Sequence, residues 1–564
     1  MTYIRLDKLR EYYKPEIPAV LEENYQVDID SSEDLPPVEE EIKRLFPNTC
    51  HLPLLTIQES NGSKRNNMRP LHVGVVLSGG QAPGGHNVIA AIYDALKAYH
   101  AASRLYGFLM GPGGLIKHQF IELHKSLIDR YRNSGGFDMI GSDRTKIECV
   151  EDFERVIDIA HRLDLSALVI IGGDDSATNG ALLAEYCAEK EEKLCVIGCP
   201  KTIDGDLKNR FIETSFGFDT CVKVYAELVG NIQRDCYSAK KYWHFIKLMG
   251  RSASHLTLEC ALQTQPTIAI ISEEVEAKQQ TLDDIVQIIA DVVVDRYNRG
   301  YPFGVVLIPE GLIEFVPRMR RLINELNEVL RVNEKNLLIV KKSEVVRYIA
   351  SKLTTESAEV FLSLPNEVAG QLMLERDPHG NVQVSRVQTE ELIVSLVRKE
   401  LKKRKERGNY DGKFSALTHF FGYEGRSSMP SNFDAAYCYA LGLTAVALAS
   451  HHANGYMAAV GNLVAFPGEW KPRGVPFVSM MHMEEREGRC LPVVKKSLVD
   501  LEGAPFRYFV EHREQRARAV DFRYPGPIQY FGPSAVCDST TITLRLEHDL
   551  SAEEDSEEAL REQH

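Results

Sequence analysis

The chain lacks several common functional motifs. Its 564 residues include 11 cysteines but no CxxC pair, which argues against a zinc ribbon, a dithiol redox motif or a disulfide scaffold. There is no GxxxxGK[ST] sequence, and no GxGxxG fingerprint follows a predicted strand, so the usual P-loop and dinucleotide-binding signatures are missing. HExxH and GxSxG are also absent. We therefore expect reduced, mostly buried thiols and look elsewhere for the chemistry.

The chain also lacks an excess of positive charge. Lys and Arg number 66 against 80 Asp and Glu, a formal charge of −14, so a basic nucleic-acid-binding surface is not expected. Any anionic ligand must instead meet a local cluster of cations. The N-terminal residues MTYIRLDKLREYYKPE have no apolar signal-peptide core, and the uncharged run 435–455 is only weakly apolar. We expect that run to be a buried helix and the location to be cytoplasmic.

Short apolar runs followed by glycine turns and helical segments recur along the chain. LHVGVVL, ALVIIGG and KLCVIGC predict buried parallel strands in a first set, and WHFIKL and FGVVLIP predict a second set. The predicted fold class is α/β, with two facing three-layer lobes, mostly parallel sheets, an N-terminal extension and a helical insertion. The predicted parts are the extension 1–68, a first lobe 69–235, a second lobe 236–315, the helical insertion 316–410, a C-terminal part 411–550 that completes the lobes, and a disordered acidic tail 551–564.

Two glycine-containing turns follow strands of the first lobe. The turn at 79–85, GGQAPGG, leaves backbone N–H groups free to close around a phosphate, although taken alone it could equally be structural. In the second turn, GGDDS, the adjacent carboxylates of Asp174 and Asp175 follow a strand directly. Such a pair can cap a helix, but beside a phosphate turn it is better suited to Mg²⁺.

A third strand end carries the sequence PKTIDGD, with a lysine, a hydroxyl and two carboxylates at Lys201, Thr202, Asp204 and Asp206. A carboxylate beside a phosphate can take the proton of an attacking hydroxyl, while a lysine neutralises the transferring group. Alone, this segment would be read as a charged surface turn. Beside the other two turns, it indicates phosphoryl transfer.

Three arginines supply the cations that this chemistry requires. Arg251 in MGR and Arg426 in YEGR each follow a glycine, and their guanidinium groups suit bidentate phosphate binding. Arg144 in GSDRTK could add charge compensation from the first lobe. An isolated arginine is more often a surface residue, so the prediction depends on the acidic turns nearby.

Taken in order, SGGQAPGGHN, GGDDS, PKTIDGD, MGRSASH, IPEG and FGYEGRSSMPSNFD resemble the motifs of the phosphofructokinase family over about 71–432. The chain's length, its helical insertion and KTIDGD resemble the long, pyrophosphate-dependent members. The resemblance implies reversible, Mg²⁺-dependent phosphate transfer from pyrophosphate to the C1 hydroxyl of fructose 6-phosphate. It also implies that the first lobe binds the donor and the second the sugar phosphate.

The resemblance assigns roles to individual positions. Asp204 matches the proton acceptor, Asp174 the magnesium-linked aspartate and Gly80 a pyrophosphate contact. Lys241 and Tyr242 fall where the family sends a side chain across a homodimer interface into the neighbouring active site. The positions that match sugar-phosphate contacts are Thr202, Met249, Gly250, Arg251, Glu310, Tyr423 and Arg426.

Donor choice follows from Asp175, since ATP-using relatives have glycine there. Two like charges 4 Å apart repel by about 4 kcal/mol at an effective dielectric of 20, so Asp175 disfavours the α-phosphate of ATP, whereas Lys201 suits a compact donor. The alternatives are an ATP-dependent phosphofructokinase, a lipid- or NAD-kinase relative that shares only the GGD turn, and a non-catalytic regulatory subunit that binds sugar phosphate. The intact acidic site argues against the last of these.

Overall fold

A computed structural model describes residues 3–22, 25–60, 69–337, 345–373, 386–486 and 489–552. The acidic tail that we predict to be disordered, 551–564, lies outside the described residues apart from its first two positions. The chain divides into two compact units, which are described separately. Unit 1 comprises Met1–Cys221, Tyr423–Ser497 and Ile528–Leu544, and unit 2 comprises Val222–Gly422, Leu498–Pro527 and Arg545–His564.

The strands follow in chain order. They are β1 (Tyr25–Ile29), β2 (Leu55–Glu59), β3 (His72–Leu77), β4 (Arg104–Phe108), β5 (Phe120–Glu122), β6 (Ala167–Gly172), β7 (Cys195–Pro200), β8 (Trp243–Leu248), β9 (Ile268–Ala269), β10 (Gly304–Pro309), β11 (Ala416–Phe421), β12 (Tyr456–Gly461), β13 (Lys471–Pro476), β14 (Met481–Arg486) and β15 (Arg489–Val494).

The α-helices are α1 (Leu6–Arg10), α2 (Ala19–Glu22), α3 (Glu40–Leu45), α4 (Gly85–Tyr99), α5 (Gly111–Ile116), α6 (Lys125–Tyr131), α7 (Val150–Arg162), α8 (Asp174–Glu189), α9 (Phe218–Ala239), α10 (His255–Thr264), α11 (Ser272–Ala277), α12 (Leu282–Asn298), α13 (Leu312–Phe315), α14 (Pro317–Leu337), α15 (Val345–Ala350), α16 (Thr355–Ser363), α17 (Asn366–Leu372), α18 (Thr389–Glu406), α19 (Tyr423–Arg426), α20 (Asn432–Ser450), α21 (Ala504–Arg518), α22 (Ser534–Cys537) and α23 (Ile542–Glu547). Short 3₁₀ turns cover Pro467–Glu469 and Phe477–Met480.

Unit 1 is built on a nine-stranded sheet in the order β1-β2-β13-β12-β7-β6-β3-β4-β5. Its centre, from β12 to β4, is parallel, and the outer strands pair antiparallel. Every residue of β6 and β7 is buried, as expected for parallel strands covered on both faces. The carboxyl ends of β3, β6 and β7 therefore lie side by side, and the three predicted turns follow them directly.

The described part of the N-terminal extension supplies two strands to this sheet. Strands β1 and β2 form an antiparallel pair, and β2 pairs with β13. Near α1, the buried Arg10 guanidinium donates to Asn432 Oδ1 at 2.7 Å and to the Pro430 carbonyl at 3.1 Å. The extension is thus an integral part of unit 1.

Unit 2 is built on an all-parallel four-stranded sheet in the order β11-β8-β10-β9. The segment TIAIISEE provides only the two-residue strand β9, because the serine and acidic residues after Ile271 begin helix α11. The described part of the helical insertion consists of α14 to α18, and α18 packs on β8. The unit boundaries, at 221/222 and 422/423, fall away from the lobe boundaries at 235/236 and 410/411 that we placed from the sequence.

The weakly apolar run forms most of α20, a helix that passes the length and composition test for a membrane span. In its most apolar 18-residue window, 89% of the residues are nevertheless buried inside the protein, so the expectation of a buried helix is confirmed. It packs against α4 so closely that a Cβ on Gly442 would lie 2.5 Å from the Val88 carbonyl oxygen.

The cysteines also agree with expectation, since all 11 are free thiols and eight are buried.

Candidate active site

The first turn follows β3 and leads into α4. Gly79 has a φ of +82° and donates its N–H to the Asp143 carbonyl at 2.8 Å. Gly84 has a φ of +106°, and a Cβ there would lie 2.2 Å from Cys438 Sγ. Both positions therefore require glycine, and the turn ends at the positively polarised N-terminus of a 15-residue helix.

Lys201 lies against this turn. It is 6% exposed, and its Nζ donates to the Gly80 carbonyl at 2.7 Å. Burial lowers the pKa of Lys201 to about 8; the carboxylates of Asp204 and Asp174 oppose that shift, whereas two nearby guanidinium groups reinforce it. The lysine is thus a buried cation at the centre of a charged cluster.

The two guanidinium groups belong to Arg426 and Arg144. A Cβ built on Gly80 would lie 3.7 Å from Cζ of Arg426 and 3.9 Å from a terminal nitrogen of Arg144. The Arg426 guanidinium also lies over the Tyr423 ring, 5.2 Å from its centroid, and this ring is 62% exposed. These cations therefore converge on the backbone of the Gly80 turn beside a helix N-terminus, an arrangement suited to an anionic ligand.

The acidic residues surround the same edge. Asp174 and Asp175 are the first two residues of α8. The Thr202 hydroxyl donates to Asp206 at 3.1 Å and accepts the Asp204 N–H at 3.1 Å. Burial, together with the charges of Asp204 and Asp174, raises the pKa of Asp206 to about 7, while Lys496 and the Thr202 hydroxyl oppose the shift. The ionised form of Asp206 is therefore disfavoured chiefly by its burial.

The donor set fits a magnesium ion of the kind that phosphate substrates help to bind. Within the described ranges, no three His, Cys, Asp or Glu side chains form a closed metal cage. Mg²⁺ does not need one, since it is usually held by one or two carboxylates, waters and substrate phosphates. Asp174 Oδ2 is buried and accepts no hydrogen bond, and its observed partner is the Lys496 ammonium at 3.3 Å.

Unit 2 presents a turn of its own after β8. Gly250 has a φ of +127° and donates its N–H to Glu310 Oε2 at 3.0 Å. Glu310 is 4% exposed and follows β10, the parallel neighbour of β8. Met249 and Arg251 flank the glycine, so four of the predicted sugar-phosphate positions lie together at the carboxyl ends of two adjacent strands.

Lys241 and Tyr242 lie at the opposite end of the same strand. They precede Trp243, whereas Met249 follows Leu248, and six strand residues span roughly 20 Å. Tyr242 has a φ of +67° and is partly exposed, with its ring edge-on to His244. Within one chain, these two residues therefore do not join the turn at Met249.

The structure thus groups the predicted residues by unit. Unit 1 brings together Gly80, Arg144, Asp174, Asp175, Lys201, Thr202, Asp204, Asp206, Tyr423 and Arg426, and unit 2 brings together Met249, Gly250, Arg251 and Glu310. Sequence reasoning missed Lys496 and the structural role of Asp143. Neither stands in a glycine-rich motif. A backbone hydrogen bond from Gly79 joins Asp143 to the site, and contacts of β15 and Lys495 with α8 and Met480 bring Lys496 there.

Comparisons with known proteins identify the family of the chain. A family model described as Phosphofructokinase matches residues 72–449. The chain is 55% identical to a pyrophosphate--fructose 6-phosphate 1-phosphotransferase of Porphyromonas gingivalis, covering 95% of this chain and 98% of that protein. It is 47% identical to a protein of the same name from Entamoeba histolytica, covering 97% and 100%.

A solved structure shares the fold. The pyrophosphate-dependent phosphofructokinase from Nitrosospira multiformis matches with a TM-score of 0.52 at 15% identity, covering 80% of this chain and 93% of that one.

Proposed function

This chain belongs to the phosphofructokinase family, and we propose that it transfers a phosphoryl group reversibly from pyrophosphate to the C1 hydroxyl of fructose 6-phosphate, a reaction of glycolysis. The products are fructose 1,6-bisphosphate and phosphate. The observation that carries the proposal is the cluster of Lys201, Arg144 and Arg426 around the Gly80 turn, beside four carboxylates. The names of relatives that span nearly the whole chain support the same reaction.

In this reaction, the unit 1 cations bind and orient the donor. The guanidinium group of Arg144 and the ammonium of Lys201 neutralise charge on the transferring phosphoryl group. Thr202, Tyr423 and Arg426 keep the sugar-phosphate contacts that the resemblance implies. Asp204 accepts the proton of the sugar hydroxyl as the oxygen attacks phosphorus. Its position is set by the hydrogen bond from its own N–H to the Thr202 hydroxyl.

We propose Mg²⁺ as the cofactor, with Asp174 as its protein ligand. When bound, the ion would withdraw charge from the pyrophosphate oxygens. The buried Asp174 Oδ2, which accepts no hydrogen bond from the described residues, supports this assignment. Removing the metal with a chelator should abolish turnover, and Mg²⁺ should restore it.

The sugar phosphate is assigned to the unit 2 turn. Backbone around Gly250 can approach a phosphate closely because no side chain intervenes, and the Arg251 guanidinium supplies charge. Glu310 maintains the turn by accepting the Gly250 N–H and supplies a carboxylate oxygen suited to a sugar hydroxyl.

The donor is tested directly by a coupled assay with pyrophosphate or ATP at equal magnesium. We expect activity with pyrophosphate that exceeds activity with ATP by about three decades, the factor that 4 kcal/mol of repulsion at Asp175 represents. Comparable rates with the two donors would favour the ATP-dependent alternative. Binding of fructose 6-phosphate without turnover of either donor would favour the regulatory-subunit alternative.

We further propose a cytoplasmic homodimer with shared active sites. The position of Lys241 and Tyr242, far along β8 from Met249, supports a role in a neighbouring subunit. A chain carrying Lys241→Ala and Tyr242→Ala, and a chain carrying Arg426→Ala, should each be nearly inactive. A tagged heterodimer of the two should recover up to about half of normal activity, since a two-fold axis exchanges the contributions. Activity equal to the parental mean would contradict sharing.

The location is tested by cell fractionation. We expect the protein in the soluble fraction, and recovery with membranes would contradict the proposal.

A further inference from the structure

Lys496 belongs to none of the motifs, yet its ammonium lies 3.3 Å from Asp174 Oδ2. Its neighbours in the chain are fixed by backbone hydrogen bonds. The Lys495 N–H donates to the Met480 carbonyl at 2.9 Å, and the Ser497 N–H donates to the Asp206 carbonyl at 2.7 Å. The backbone that carries Lys496 is therefore attached directly to the acidic edge of unit 1.

A third contact ties the same segment to α8. The Val494 N–H, at the end of β15, donates to Thr178 Oγ1 at 3.0 Å, one helical turn after Asp174. Strand β15 also packs along α8. Lys496 thus reaches the site because its backbone is held there, and its position does not depend on its own ion pair.

The ion pair is only partly shielded from solvent. The side chains of Lys496 and Asp174 are 28% and 20% exposed, although Asp174 Oδ2 itself is buried. A lysine ammonium on a four-carbon stem can turn to a new partner without backbone movement. The charge of Lys496 also acts on Asp206, whose carboxyl lies in the same cluster.

Building on the proposed function, we propose that Lys496 is a further donor-binding residue. Its ammonium pairs with Asp174 in the free enzyme and binds a phosphate oxygen of pyrophosphate when a divalent cation occupies that carboxylate. Pyrophosphate is a multiply charged anion that must bind beside the carboxylates of Asp174, Asp175, Asp204 and Asp206. A fourth cation helps to offset the repulsion between the anion and these carboxylates.

The test compares Lys496→Met with Lys495→Met. Lys495 is a matched control because it is the preceding lysine, is exposed and has the same charge. For Lys496→Met, we expect both the KM for pyrophosphate and the Kd of magnesium pyrophosphate, measured by titration calorimetry, to rise about 10- to 100-fold, as for loss of one charge-assisted contact. The KM for fructose 6-phosphate should not change. Lys496→Arg should recover part of the loss, and Lys495→Met should behave as the parent.

A second measurement separates this role from a structural one. Binding of Mn²⁺ alone, followed by electron paramagnetic resonance, should be at least as tight in Lys496→Met as in the parent, because the competing ammonium is gone. If Lys496→Met loses affinity for both Mn²⁺ and pyrophosphate, the substitution has disordered the site. If its pyrophosphate affinity is unchanged, Lys496 does not bind the donor. Either result overturns the inference. A parent protein that binds pyrophosphate but does not transfer phosphate would overturn the proposed function alone.

Discussion

Units 1 and 2 both present a glycine turn at the carboxyl ends of parallel strands, but the charged side chains beside the two turns have different partners. In unit 1, buried and half-buried charges of both signs act on each other, and burial moves the pKa of Lys201 to about 8 and that of Asp206 to about 7. In unit 2, the buried carboxylate of Glu310 accepts a backbone N–H. The first arrangement suits groups that move a proton and stabilise changing charge, and the second suits holding a ligand still.

The largest expected effect comes from removing the proton acceptor of unit 1. Asp204→Ala should lower kcat by about 10²-fold or more with little change in either KM, because the proton moves only during reaction. Steady-state kinetics gives both constants. Asp204→Asn serves as the control, since it keeps the size of the side chain and should be as inactive. Near-normal kcat in either folded variant would remove Asp204 from this role.

The preference for pyrophosphate over ATP gives the next test of the difference between the units, because it should depend on residues of unit 1 alone. Asp175→Gly combined with Lys201→Gly should weaken pyrophosphate use and raise ATP-dependent activity by about 10²-fold, because repulsion of the α-phosphate disappears. Both changes are needed, since removing one charge leaves the other uncompensated. Loss of pyrophosphate activity without any gain with ATP would refute the electrostatic account.

A smaller and more selective effect is expected in unit 2. Glu310→Gln keeps an oxygen to accept the Gly250 N–H but loses the charge, so the KM for fructose 6-phosphate should rise about 10-fold. The Kd of pyrophosphate should remain that of the parent. A change in the pyrophosphate Kd instead would contradict the assignment of Glu310 to the sugar phosphate.

The smallest effect is a pH dependence. Because burial lowers the pKa of Lys201 to about 8, its cation is lost above that pH, and kcat/KM for pyrophosphate should fall to about half at pH 8 and continue downward. Lys201→Arg should remove this decline, since arginine stays charged.

A stability measurement supplies the control for that decline. The folded pKa of Lys201 lies below the unfolded value of 10.5, so the unfolded chain binds more protons between pH 8 and 10.5. This lysine therefore makes the protein more stable as pH rises through that window. Thermal unfolding over the same range should show that the lost activity does not reflect unfolding by this group.

Much of the site could be predicted from local sequence. A Val- and Ile-rich run followed by glycines and acids predicts a buried strand that ends in a polar turn, which β6 and the start of α8 confirm. The same reasoning found the turns at Gly80, Lys201 and Gly250. This reasoning failed for Lys496, which follows strand β15. A lysine in that place has no local sequence signature, and it reaches Asp174 only through contacts of its segment with α8 and Met480.

By itself, the sequence determined the α/β class, the strand ends and the residue types at each turn, because buried strands, glycine conformations and phosphate chemistry impose local patterns. Tertiary structure alone decided that 1–68 supplies strands to the unit 1 sheet, that Asp143 accepts the Gly79 N–H, and that Lys241 lies a strand's length from Met249. These facts depend on strand order and on pairing between distant segments, which periodicity and spacing along the chain do not encode.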